Sequence, residues 1–108
     1  MIEIRQYADR PGNYPFERWL LDQNETARAR ITIALAKLES GNFSAVKGGG
    51  AGVYELRLDF GPGYRVYFGK DGEAIVILLG GGIKKRQQTD IETARARWQQ
   101  YKRGKREE

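Results

Sequence analysis

The sequence predicts an α+β domain, a mostly antiparallel four-stranded sheet with helices packed on it, in the order β-α-α-β-β-β-α. Two observations predict this class. Alternating apolar and polar residues flank a "GPG" turn, as in an antiparallel hairpin, and stretches with apolar residues at helical spacing lie before and after it. A chain of 108 residues is long enough for one core. We therefore predict a single domain over 1–108, in which the basic tail 102–108 frays.

The first half of the chain predicts one strand and two helices. "IEIRQY" alternates as a strand does, and "FERWL" carries apolar residues at helical spacing, with Asn13 placed to cap this short helix. A second helix is expected to begin after Asn24 and to end at "SGN". The connection "NFSAVKGGGAG" is so rich in glycine that we expect it to be irregular.

The second half predicts three strands and a final helix. "VYELRLDF" and "YRVYF" form the hairpin, and Asp71-Gly72 turns the chain into "AIVILL", which is apolar on both faces and should be the most buried strand. "GGGIKKRQQ" is expected to be a loop. Thr89, with Glu92 three residues later, is expected to open the last helix as a capping box.

The composition excludes several kinds of chemistry. The chain has no cysteine and no histidine, which rules out disulfides, thiolate nucleophiles, Ser-His triads and zinc sites built on these residues. Catalysis would have to use Lys, Arg, Tyr, Asp or Glu. No apolar run approaches the roughly 20 residues of a membrane span, and no secretory signal is visible. We therefore expect a cytoplasmic protein without a membrane partner.

The positive charge lies in the last quarter of the sequence. Residues 1–83 are balanced, whereas residues 84–108 hold nine Lys/Arg against four Asp/Glu and so carry the whole net charge of +5. Such asymmetry indicates an anionic partner, nucleic acid first, although a solvated basic helix explains it equally well.

Two glycine clusters have the composition of phosphate-binding loops. "KGGGAG" does not match the order of a P-loop, so a flexible connection is the favoured interpretation. "LLGGGIKKR" follows a strand and adjoins the basic triplet 84–86, which leaves a phosphate site and a flexible connection about equal. Trp19 and Trp98 stand at helical spacing with other apolar residues, which favours core packing over base stacking.

The hairpin places Arg57 and Arg65 close together on one face, which we expect to point outward, with Tyr67 beside them. Guanidinium groups offer a fixed fork of donors that fits phosphate and stabilises the extra charge of a phosphorane-like transition state. Surface salt bridges to Glu55 and Asp59 are the alternative, and the pattern alone slightly favours them.

These residues lie in a stretch that resembles the RelE/ParE superfamily of type II toxin–antitoxin toxins, and within it the HigB-like addiction module killer protein group. The resemblance is carried by "YELR", "GxGYRVYF", "LLGGG" and "KxxQxxDI" leading into a helix that ends near a tryptophan. "PFERWL" and the order strand–helix–helix extend it more loosely to the first half.

The resemblance implies a microbial ribonuclease-like fold and cleavage of mRNA in the ribosomal A site without a metal ion or a cofactor. In that reaction the 2′-hydroxyl attacks the adjacent phosphorus and leaves a 2′,3′-cyclic phosphate and a free 5′-hydroxyl. The implied partners are the ribosome with its mRNA and a cognate antitoxin, usually a small helix-turn-helix DNA-binding protein. Operator DNA would be reached only through that antitoxin.

Carried over by position, the resemblance assigns the reaction to Arg57, Arg65 and Lys84, with Asp90 or Glu55 as candidates for the general base. Contacts to RNA are expected from four more residues: Lys47, Tyr67, Lys85 and Arg86. The chain departs from the family pattern at three points. Glu55 stands where a basic residue is expected, and both the C-terminal tyrosine and the histidines of some relatives are missing.

Two other functions stay open at this point. A ParE-like inhibitor of DNA gyrase would bind a protein and cleave nothing. A decayed, non-toxic relative would act only as a binding module, and Glu55 with the missing tyrosine keeps that alternative open.

Overall fold

The computed structural model describes residues 1–107, which form a five-stranded mixed sheet and three α-helices. The elements are β1 (Glu3–Gln6), α1 (Pro15–Leu21), α2 (Glu25–Glu39), β2 (Val46–Gly48), β3 (Val53–Leu58), β4 (Tyr64–Asp71), β5 (Ile75–Ile83) and α3 (Gln87–Glu107), with a 3₁₀ turn at Lys84–Arg86. The strand order is β1-β5-β4-β3-β2. β1 runs parallel to β5 and all other neighbours are antiparallel.

The predicted α+β class and element order are confirmed, with one strand more than expected. The extra strand is β2, which lies inside the glycine-rich connection and pairs with the outer edge of β3. Val46 and Lys47 can extend because the free edge of β3 offers backbone partners, and the glycines that follow supply the turn. Gly50 and Gly52 have φ of 79° and 81°, in the left-handed region that glycine adopts without strain.

The helix boundaries agree only in part with the predicted caps. Asn24 caps α2 as expected, since its side chain accepts a hydrogen bond of 2.9 Å from the Ala27 N–H. Asn13 was predicted wrongly, because its side chain donates to Asp9 and the N-cap of α1 is Tyr14.

The predicted start of the last helix is also wrong. β5 continues through the three glycines to Ile83, and the 3₁₀ turn leads without a gap into α3. Thr89 therefore lies inside the helix, and Glu92 accepts from the Gln88 side chain at 3.1 Å instead of forming a capping box. "GGGIKKRQQ" is a strand end and a helix start rather than a loop.

The C-terminal segment is helical where we expected fraying. α3 continues to Glu107, and position 108 lies outside the described residues. Tyr101 donates a hydrogen bond of 2.7 Å to Asp71 at the end of β4, and Lys105 forms an ion pair with the same carboxylate. These two contacts hold the last turns of α3 to the sheet.

The sheet has a separate core on each face. On the first face, α1 and α2 cover buried side chains that include Phe16, Ile31, Leu38, Val66 and Phe68. On the second face, side chains of α3 and of the strands form a smaller core: Tyr7, Val53, Tyr67, Ile77, Leu79, Ile91, Ala94 and Trp98. β5 has fully buried residues on both faces, as its apolar sequence predicts. The arginine-bearing face of the hairpin, expected to point outward, is this second face.

Glycines in β4 and β5 let side chains of the helices pack directly on the sheet. Any side chain at Gly69 would collide with the Trp98 ring, and one at Gly82 would collide with the Asp90 carboxylate. On the first face, Gly81 makes the same room for Trp19. The "GGG" run is therefore explained by close packing, with a strand as its local structure.

Candidate functional site

The side chains of the candidate site stand in two cross-strand rows on the second face. In one row, Lys47, Glu55, Tyr67 and Gly80 are paired from β2 across to β5. In the next row, Arg57 of β3 lies directly opposite Arg65 of β4. The sheet register therefore brings both arginines together beside Glu55, as the hairpin pattern predicts.

Glu55 lies between the two arginines. Its Oε1 atom is 3.7 Å from Nε of Arg57 and 3.9 Å from Nε of Arg65. These distances allow charge pairing but exceed a hydrogen bond, and among the described residues neither Nε has a hydrogen-bond partner. The salt-bridge alternative is thus partly correct, because Glu55 is the partner of both arginines. Glu55 and Arg65 are buried, however, so these pairs are not ordinary surface salt bridges.

The two arginines differ in accessibility. The side chain of Arg65 is only 5% exposed and donates through Nη1 to the Tyr64 carbonyl at 3.0 Å, whereas the side chain of Arg57 is 37% exposed. Arg65 is therefore a fixed, buried charge, and Arg57 is the guanidinium that an incoming anion meets first. The prediction that both side chains point to solvent is wrong for Arg65, which is buried beside Glu55, next to Gly82, on which Asp90 of α3 packs.

Glu55 is a departure from the family pattern, and its partner is Gln87, the glutamine of "KxxQxxDI", to which the sequence assigned no role. The Gln87 side chain donates to Glu55 Oε1 at 2.8 Å, so α3 fixes the carboxylate from above. Two arginines against one carboxylate leave a positive charge in excess. Without Glu55, two guanidiniums would face each other directly with nothing between them. Glu55 is therefore a positioning residue for the arginines.

The predicted lysines line an open groove beside this cluster. Lys84 and Lys85 are exposed and share the groove with Glu55, Gln87 and Arg95. Lys84 is held next to the hairpin turn by a hydrogen bond of 2.7 Å from its N–H to the Gly63 carbonyl. The exposed Lys47 stands opposite Glu55 on the edge strand. The groove thus offers an extended anion several cations in sequence.

Arg86 does not join the groove. It lies on the opposite side of the α3 start, where it lines a separate pocket with Asp90 and Arg97. The basic triplet is therefore divided between two sites, because the 3₁₀ turn points successive side chains in different directions.

Tyr67 lies between these two sites. Its hydroxyl is buried and has no hydrogen-bond partner within residues 1–107. Burial raises the pKa of Tyr67 to about 12, and the carboxylates of Glu55 and Asp90 act in the same direction. The phenol stays protonated at neutral pH and can only donate its proton in a hydrogen bond or accept one at its lone pairs.

Asp90 packs against Gly82, the residue paired with Arg65. Burial raises the pKa of this carboxyl, while Arg86 and Arg97 oppose the change. A raised pKa makes a carboxylate a better proton acceptor at neutral pH. Asp90 therefore has the environment of a general base, in contrast to Glu55, whose charge is shared by two arginines.

Comparison with known proteins identifies the family. Residues 18–99, which include both arginines, Lys84 and Asp90, match the model described as "Phage derived protein Gp49-like (DUF891)". The chain belongs to this family. It is a family of toxin–antitoxin toxins of the RelE/HigB type, and it implies a cognate antitoxin as partner.

A relative from Haemophilus influenzae supports the assignment. This Gp49-like chain is 42% identical over 81 residues to an uncharacterized protein of that organism, which covers 74% of the chain and 82% of the relative. Over residues 1–107, no helix combines the length and apolar character needed to cross a membrane. The same part of the chain shows no cluster of three or more acidic side chains suited to holding a metal ion.

Proposed function

We propose that this Gp49-like toxin is a HigB-like, ribosome-dependent mRNA endonuclease of the cytoplasm, which stops translation and is neutralised by its antitoxin. One observation carries the proposal: the partly exposed Arg57 lies opposite the buried Arg65, and both adjoin Glu55, which lines a groove with two lysines. Paired guanidiniums at the end of a basic groove suit a phosphodiester that gains charge during attack.

In the proposed reaction, side chains of this protein carry out every proton transfer and stabilise the charge that develops. Asp90 accepts the proton of the 2′-hydroxyl, whose oxygen attacks the adjacent phosphorus. Arg57 and Arg65 stabilise the charge on the phosphorane oxygens. The bond from phosphorus to the 5′-oxygen breaks, and the Lys84 ammonium gives that oxygen a proton. The products are a 2′,3′-cyclic phosphate and a 5′-hydroxyl, so neither a metal ion nor a cofactor is required.

The remaining cations bind the RNA on either side of the cut. Lys85 and Lys47 flank the groove and contact backbone phosphates, which is a sequence-independent attraction. Tyr67 donates its hydroxyl proton to the bound nucleotide from beneath. Arg86 contacts the RNA on the other side of Asp90. An RNA that reaches both Arg86 and the lysine groove passes over the start of α3.

The antitoxin controls this site and the operon. We propose a small helix-turn-helix protein that masks the basic groove and carries the toxin to operator DNA. The excess of +5 in the chain favours an acidic inhibitory segment in that partner.

Expression in cells with mapping of mRNA 5′ ends tests the proposal. The wild-type chain should arrest growth and produce new 5′ ends within translated codons. Arg65→Ala should abolish both, while circular dichroism and antitoxin binding stay as in the wild type. A folded Arg65→Ala protein that still cuts mRNA contradicts the proposal. Arrest with a DNA-damage response and no new ends would instead indicate gyrase inhibition.

A further inference from the structure

A second pocket lies on the far side of Asp90, between α1, the start of α3 and the edge of β5. It exists because β1 ends at Gln6, opposite Leu78, so the later residues of β5 pair with β4 on one side and have no strand on the other. The cavity measures about 250 Å³. Its chemically distinctive lining residues are Trp19, Tyr67, Arg86, Asp90, Thr93 and Arg97.

The walls of this pocket are fixed by specific contacts. Trp19 is half-buried and rests on Gly81, where any side chain would displace it. Arg97 donates through Nη1 to the Leu79 carbonyl at 2.9 Å, which replaces a strand neighbour and holds its guanidinium against the strand. Tyr67 also lines the pocket, and its buried hydroxyl behind the wall has no hydrogen-bond partner in the described chain. The Trp19 ring and the two arginines, Arg86 and Arg97, form a polar pocket with an apolar side.

These groups suit a nucleobase. An indole ring gives a surface for base packing, and a purine fits the volume. Arginine donors pair best with two adjacent acceptors, which guanine presents at O6 and N7, whereas adenine presents a donor at the equivalent edge. Arg86 is exposed and lines the pocket together with Asp90, so its guanidinium can reach a base held there.

We propose that this pocket binds the guanine base of the nucleotide whose 2′-hydroxyl attacks. The assignment rests on the proposed function, because it places that hydroxyl next to Asp90, which lines the pocket and adjoins the Arg65 row. The enzyme would then cut preferentially on the 3′ side of guanine.

Nucleotide binding can be measured without cleavage. In ¹H–¹⁵N spectra of the full chain, GMP should produce saturable shifts of the Trp19 indole and of the Gly80 and Gly81 amides, whereas AMP, CMP and UMP should bind at least about tenfold more weakly. Arg86→Ala should weaken GMP binding about tenfold. Arg103→Ala removes the same charge from an exposed site on α3 and should leave binding unchanged.

Equal shifts with all four nucleotides, or equal losses in the two variants, overturn the proposal. So does a wild-type protein that cuts mRNA without enrichment of guanine on the 5′ side of the cut. If GMP binds as expected but no mRNA is cut, the proposed function fails, and with it the assignment of the pocket to the attacking nucleotide. Nucleotide binding without selectivity for guanine thus marks the failure of the pocket assignment alone, whereas GMP binding without cleavage marks the failure of the proposed function.

Discussion

The two faces of the sheet are built from the same strands but differ in what fills them. On the first face, under α1 and α2, the buried side chains are all aliphatic or aromatic. The second face, under α3, is apolar around Trp98 but becomes polar towards the hairpin turn, where Glu55, Arg65 and Tyr67 are buried. Polar groups are expensive to bury, so their presence on one face only indicates that this face carries the function and the other the stability.

Phe68 and Tyr67 are neighbours in β4 that point to opposite faces, and we expect the largest change in stability from Phe68. Phe68 points into the first face and is fully buried. Phe68→Ala should lower the free energy of unfolding by about 3–5 kcal/mol, since it removes a large ring from a closed core. Urea denaturation measures the change. A loss below about 1 kcal/mol would contradict the stabilising role of the first face.

Disturbing the close packing of α3 on Gly82 should lower the free energy of unfolding by less than Phe68→Ala does. Gly82→Ala places a methyl group against the Asp90 carboxylate and should destabilise by about 1–3 kcal/mol while displacing Asp90. Gly48→Ala is the matched control, because a side chain there meets nothing within 4 Å. If both variants unfold at the same urea concentration, α3 does not rest on Gly82.

Tyr67, the second-face neighbour of Phe68, should respond in the opposite direction. Its hydroxyl is buried without a partner, so Tyr67→Phe should leave stability unchanged or raise it by about 1 kcal/mol. The same variant should cut mRNA more slowly, because the bound nucleotide loses a donor. Urea denaturation and cleavage assays on one preparation measure both. A variant that loses stability without losing activity would show that Tyr67 is only a core residue.

Asp90 should give the smallest stability effect and a clear pH signature. Its pKa is raised in the folded protein, so ionising it disfavours folding. Asp90→Asn should match the wild type below about pH 4 and become more stable as the pH rises above that, by less than about 1 kcal/mol because the group is partly exposed. Cleavage by the wild type should rise with pH over the range in which Asp90 ionises. A variant with full activity would exclude Asp90 as the base.

The sequence predicts the local features of the site and misses those set by tertiary packing. The "GPG" turn fixes the hairpin register, and therefore the pairing of Arg57 with Arg65 could be predicted. Alternation shows which residues share a face but not what covers that face. The burial of Arg65 could therefore not be predicted. The prediction of a loop at the glycine triplet is wrong for the same reason, because the residues that pack on it belong to other elements, Trp19 to α1 and Asp90 and Arg97 to α3.

The role of Glu55 illustrates the same limit. In the sequence it is a carboxylate at a position where a basic residue is expected. In the structure it is the charge that holds two arginines together, fixed by Gln87 from α3. Its function depends on a contact between residues 32 positions apart, which no local pattern reports.

The most direct test of the second face as the catalytic one is the cleavage rate of Arg57→Ala on purified ribosomes programmed with mRNA. Arg57 is partly exposed, so the variant should keep the stability of the wild type to within about 1 kcal/mol. The rate should fall about 10²–10³-fold, as expected for the loss of a donor to a charged transition state. Arg103→Ala, with the same change in charge, should cut at the wild-type rate. Equal rates for all three proteins would contradict the assignment of the reaction to the paired arginines.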